Sequence, residues 1–99
     1  MLINNEEKAQ VTLRLPSTLS AYSNGKSQII LQANTVEQML TLLKQQHHAV
    51  WKCLCNEQGG IREHVKIFVN NELISSPGGL QTVLKTGQEV IVLPAVSGL

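Results

Sequence analysis

The chain has 99 residues, with 8 lysines and arginines against 7 glutamates, no aspartate and a formal net charge of +1. That length closes one modest hydrophobic core and no more. Charged residues make up only 15% and form no basic run, which argues against nucleic acid as a partner. The shortage of carboxylates also leaves few pairs for acid and base chemistry or an oxygen-ligated metal.

Residues 1–8 are polar and aperiodic and are expected to be a flexible N-terminus. They lack the charged and then apolar regions of a secretion signal. No stretch is long and apolar enough to span a membrane, so the expectation is a cytoplasmic chain with no membrane partner. In Val11-Thr12-Leu13-Arg14-Leu15 apolar and polar residues alternate, which predicts a strand with Val11, Leu13 and Leu15 on one face, closed by Pro16. Asn24-Gly25 tolerates positive φ and turns the chain back into a second strand over Ser27 to Ala33, making a hairpin with a longish connection.

Thr35 followed three residues later by Gln38 fits a capping box, so a helix should start there and run to about His47. Val36, Met39, Leu40 and Leu43 fall at i, i+3, i+4 and i+7 and give that helix one apolar face for the sheet. Residues 48–64 interrupt Val50, Trp51, Leu54 and Ile61 with polar residues and Gly59-Gly60. They read as an irregular connection with at most a helical turn. Val65 to Asn70 is a strand, Asn70-Asn71 turns it, and Leu73-Ile74 is a short extended piece. Ser75 to Gly79 form a loop and Leu80 to Leu84 a short helical turn. Gly87 then leads into Glu89-Val90-Ile91-Val92-Leu93, a β-branched strand expected to be central and fully buried. One domain over residues 9–94, an α+β fold with one main helix on a mixed sheet, accounts for this order.

Two sets of residues stand out as candidate sites. Proline has no amide hydrogen for a sheet ladder, so pairing should lapse near Pro94 and release Ala95, Val96, Ser97, Gly98 and Leu99 as a flexible tail. Such a narrow arm suits insertion of a terminal carboxylate into another protein's active site. In the strand before it, Val90 and Val92 alternate toward the core, leaving Ile91 and Leu93 on the other face. Val65, Ile67 and Val69 likewise leave Phe68 there. Phe68, Ile91 and Leu93 would form an exposed apolar patch for a partner. Cys53 and Cys55, one residue apart, suit neither a redox motif nor a zinc knuckle and read as a reduced structural pair. His47, His48 and His64 read as solvated rather than metal-binding, Trp51 as a core anchor. Gly59-Gly60 and Gly78-Gly79 lack the lysine and long helix of a phosphate loop.

The segments Phe68-Val69-Asn70-Asn71-Glu72, Gly79-Leu80 with Thr82 and Leu84, and above all Gly87 to Gly98 resemble the ThiS/MoaD family of ubiquitin-like sulfur-carrier proteins. Within it they are most similar to the carrier for cysteine synthesis and then to the molybdopterin-synthase small subunit. The resemblance spans roughly residues 9 to 99 and implies a β-grasp fold. It also implies a carrier, not an enzyme, with no bound cofactor. An ATP-dependent adenylating (E1-like) enzyme would activate the terminal carboxylate, and sulfur would replace the adenylate. A sulfur-accepting biosynthetic enzyme of the cysteine, molybdopterin or thiamine type would then receive the thiocarboxylate sulfur. The resemblance places docking on the face carrying Phe68, Ile91 and Leu93. Such carriers end in Gly-Gly; here Gly98 matches the penultimate glycine and Leu99 stands last. Three readings follow. A protease removes Leu99; or Leu99 is tolerated or alters a Gly-Gly ending; or sulfur transfer is lost and a ubiquitin-like binding subunit remains.

Overall fold

The computed structural model describes residues 8–74 and 78–94. In chain order these form β1 (Gln10–Arg14), a 3-10 turn (Ser17–Tyr22), β2 (Gln28–Gln32), α1 (Val36–Gln46) and α2 (His48–Leu54). Then come β3 (Val65–Val69), β4 (Glu72–Leu73), a second 3-10 turn (Gly78–Gln81) and β5 (Glu89–Pro94). The strands make one mixed sheet in the order β2-β1-β5-β3-β4. β1 and β5 run parallel, and the other neighbours are antiparallel.

Period-two alternation sets the core. Val11 and Leu13 of β1, Ile29 and Leu31 of β2, Val65, Ile67 and Val69 of β3, and Val90 and Val92 of β5 all point to one face and are buried. The apolar stripe of α1, made of Val36, Met39, Leu40 and Leu43, closes over them, and Val50, Trp51 and Leu54 of α2 complete the same cluster. The start of α1 is fixed as its sequence foretells. The Thr35 hydroxyl accepts from the Gln38 amide at 3.1 Å, while the Gln38 side chain reaches back to accept from the Asn34 amide at 2.8 Å.

Several expectations need correction. Residues 48–64 contain a real helix, α2, whose seven residues are too few to show a period but whose Val50, Trp51 and Leu54 share the core with α1. The connection after β1 folds into a 3-10 turn before Asn24 (φ 58) and Gly25 (φ 80) reverse it. The helical turn expected over Leu80 to Leu84 lies earlier, at Gly78–Gln81. Residues 82–84 are instead extended beside the start of α1, where the Val36 amide donates to Thr82 and the Leu84 amide to Asn34. The short strand is Glu72–Leu73, one residue ahead of the expected piece. β5 is central but not fully buried: both helices cover one face only, so Val90 is 0% exposed while Leu93 is 45% exposed. The expected flexible ends, residues 1–8 apart from Lys8 and residues 95–99, lie outside the described residues, as do residues 75–77 of the expected Ser75–Gly79 loop.

Candidate functional site

The face of the sheet that neither helix covers holds the candidate site. Phe68 stands directly opposite Ile91 on β5, and Leu93 lies two residues on, opposite Lys66. Phe68 and Ile91 are half-buried and Leu93 is exposed. The structure therefore brings Phe68, Ile91 and Leu93 onto one surface.

A fourth member was missed. Asn70 (φ 54) and Asn71 (φ 68) form a two-residue turn of the primed kind that matches strand twist. It pairs Phe68 with Leu73, which is 53% exposed. Ile91, Phe68 and Leu73 thus form an apolar row across β5, β3 and β4. The signal was present, because a two-residue turn after Val69 pairs residues 69 with 72 and 68 with 73. Lys66 flanks this row, and on its other side Arg14 bonds Glu89 at 3.0 Å between half-exposed side chains, linking β1 to β5. The carboxylate beside it raises the Arg14 pKa through their hydrogen bond and its charge.

β5 carries this surface to the edge of the described structure. Its last residue, Pro94, faces Val65. Nearby, a cavity of about 430 Å³ opens at the end of the sheet, with Leu93, Val65, Leu19, Tyr22, Cys53 and His64 in its wall. The predicted tail, Ala95, Val96, Ser97, Gly98 and Leu99, lies outside the described residues.

The remaining candidates have structural roles. Burial pushes the Cys55 thiol up to about 11, and burial also raises Cys53; in each case the nearby Arg62 charge opposes the shift without reversing it. Raised thiols are the reverse of an activated nucleophile. His47 links the two helices. His48 stacks on Trp51 with ring centroids 5.5 Å apart, and the Lys44 ammonium lies 4.8 Å from the Trp51 ring. Trp51 is thus a core anchor whose outer side is covered by two polar side chains. Among the described residues no three histidine, cysteine or acidic side chains are grouped to hold a metal. The amides around Gly59-Gly60 are already used: the Asn56 side chain accepts from Gln58 and Gly60, and its carbonyl accepts from Gly59. No amide of that set is free to cradle a phosphate. No helix among the described residues is long and apolar enough to cross a membrane.

Comparison with known proteins agrees with this architecture. The ThiS family model matches residues 13–98. The sulfur carrier protein CysO of Mycobacterium tuberculosis is 28% identical over 90 residues, covering 89% of this chain and 97% of that protein. A putative sulfur carrier protein of Archaeoglobus fulgidus is 28% identical over 88 residues, covering 89% and 97%. The crystal structure of the Amycolatopsis orientalis BexX/CysO complex contains a chain that superposes with a TM-score of 0.78 at 26% identity, over 90% of this chain and 99% of that one. A family match from the first strand to the tail, on a mixed five-stranded sheet covered by helices on one face, means that the chain belongs to the ThiS/MoaD family of ubiquitin-like sulfur-carrier proteins and has the β-grasp fold.

Proposed function

We propose that this chain is a cytoplasmic protein cosubstrate that carries sulfur on its terminal carboxylate. The observation that supports this best is the course of β5. A central strand, held between β1 and β3, leads from the apolar row directly toward the tail. A partner seated on Ile91, Phe68, Leu73 and Leu93 would thereby hold Pro94, where the tail begins, and bring the tail within reach of its own active site. The relatives named as sulfur carriers support the same reading.

In the proposed cycle an adenylating enzyme binds ATP and the tail. A carboxylate oxygen attacks the α-phosphorus and pyrophosphate leaves, giving the acyl adenylate. A hydrosulfide sulfur then attacks the carbonyl carbon and AMP leaves, giving the thiocarboxylate. This chain contributes binding and an accessible carbonyl, and its partner supplies the catalysis and the nucleotide site. The acceptor is a biosynthetic enzyme of the cysteine, molybdopterin or thiamine type; that a CysO has been crystallised in complex with BexX supports pairing with a separate protein.

The reacting carbonyl belongs to Gly98 after removal of Leu99 by a protease, or to Leu99 itself. Glycine beside the carbonyl leaves room for phosphate and sulfur to approach, because it has no Cβ. Leu99 in place of a second glycine also favours a second reading, a ubiquitin-like subunit that docks by the same face without carrying sulfur.

Intact-mass spectrometry separates these. Incubation with the adenylating enzyme, ATP and a sulfur donor should replace one oxygen by sulfur. Deleting Leu99 should accelerate the reaction if Gly98 is the working terminus, and Gly98→Ala should slow it. Thiolation of the chain ending in Leu99 removes the need for a protease. Binding to the adenylating enzyme with no thiolation of either form would refute sulfur carriage and leave the docking subunit.

A further inference from the structure

β2 is an edge strand, and its pairing with β1 shows which backbone groups it leaves open. The Leu15 amide donates to Ser27 and the Ala33 amide to Ala9. Residues 27, 29, 31 and 33 therefore spend their hydrogen bonds on β1, since bonded pairs alternate in an antiparallel ladder. Gln28, Ile30 and Gln32 point their N–H and C=O groups away from β1. Among the described residues no strand lies on that side. All three side chains are exposed, Ile30 by 59%.

Native edges are usually blunted by lysine, proline, a bulge or shortness. The opposite edge follows this rule: β4 has two residues, one of them Glu72. β2 has five residues, Gln-Ile-Ile-Leu-Gln, with none of these devices. The segment is also close to palindromic about Ile30. The exposed positions read Gln28, Ile30, Gln32 in one direction and Gln32, Ile30, Gln28 in the other.

We propose that this edge pairs with the β2 edge of a second copy of the chain, antiparallel about a two-fold axis at Ile30. Ile30 then faces the same residue of the second copy, and Gln28 faces its Gln32. Each of the three exchanges both N–H···O bonds with its counterpart, and the glutamine amides can bond to one another across the seam. No like charges meet: the nearest charged residue before the strand, Lys26, falls opposite Asn34 of the second copy. Arg14, on the strand behind, is turned toward Glu89 and away from the edge. A symmetric pairing of this kind is closed, so it makes a dimer and uses up the edge.

The topology fixes what such a dimer would do. β1 lies between β2 and β5, so Ile91, Phe68 and Leu73 stay uncovered. Antiparallel pairing also reverses β5 of one copy relative to the other, so the two copies direct Pro94 toward opposite ends of the joined sheet. The dimer presents two independent docking faces.

Sedimentation velocity of the full chain over a wide concentration range tests this, together with amide hydrogen exchange. The expected result is a rise from one chain to two and no further, with slower exchange at Gln28, Ile30 and Gln32 in the concentrated sample. Ile30→Lys places two like charges face to face and should raise the dissociation constant by more than about tenfold, with circular dichroism unchanged because the side chain is exposed. If that variant fails to fold, Gln28→Glu with Gln32→Glu makes the same challenge at the flanking positions, whereas Gln28→Glu with Gln32→Lys should preserve the dimer. A single chain at every concentration would overturn the proposal. So would a dimer that survives Ile30→Lys or leaves those three amides unprotected.

Discussion

Replacing Phe68 by alanine separates a docking surface from a core. Phe68 is half-buried on the uncovered face, opposite Ile91 and Leu73. Within the fold the ring contributes through those two cross-strand pairs, each worth roughly 0.2–1 kcal/mol, so Phe68→Ala should cost about 1 kcal/mol of stability. For a domain of this size that lowers the melting temperature by roughly 4–8 °C. A phenylalanine enclosed on all sides would cost roughly 3–5 kcal/mol. In binding the same truncation removes an aromatic anchor from the middle of the proposed interface, where about 2 kcal/mol or more is usual. That corresponds to about thirtyfold in affinity. Urea denaturation and calorimetric titration against the proposed adenylating partner measure the two quantities side by side. Ile67→Ala is the control: one residue away, 1% exposed and on the helix-covered face, it should cost about 2–5 kcal/mol of stability and leave affinity intact wherever the protein remains folded. A loss of more than about 3 kcal/mol in Phe68→Ala with unchanged affinity would refute the assignment of Phe68 to the docking face.

Thr35→Ala removes the hydroxyl that caps α1 at the Gln38 amide and should lower the unfolding free energy by about 1 kcal/mol without changing the urea m-value, because no surface of the unfolded state is altered. Cys55 tests burial chemically. Its folded thiol titrates near 11, above the ordinary 9.0, so the native state holds the proton more tightly than the unfolded chain. The resulting stability is fully present below pH 9 and is lost as pH rises from 9 toward 11, which thermal melts across that range should show. Iodoacetamide at neutral pH should label half-buried Cys53 before Cys55, and rapid labelling of Cys55 in the native protein would contradict its burial.

Alternating apolar residues determined three strands and the inward set Val11, Leu13, Val90 and Val92, because a sheet with one covered face imposes period two on its sequence. The α1 stripe and its Thr35 and Gln38 cap were legible for a similar reason: both are local, spanning a few turns of one segment. The register of Val65 to Val69 was enough to put Phe68 outside with Ile91 and Leu93. Leu73 could have joined them had the Asn70-Asn71 turn been used to set the pairing. What the sequence left undecided depends on contacts between distant segments. α2 is too short to be stable alone and exists because Val50, Trp51 and Leu54 find the core beside α1. Residues 82–84 are extended because the start of α1 offers them the Asn34 carbonyl and the Val36 amide, a partnership no local pattern announces. Strand order was decided at the same level. A central β5 was legible, but only the assembled sheet shows that the helices cover it on one face alone and that, among the described residues, β2 stands at the rim.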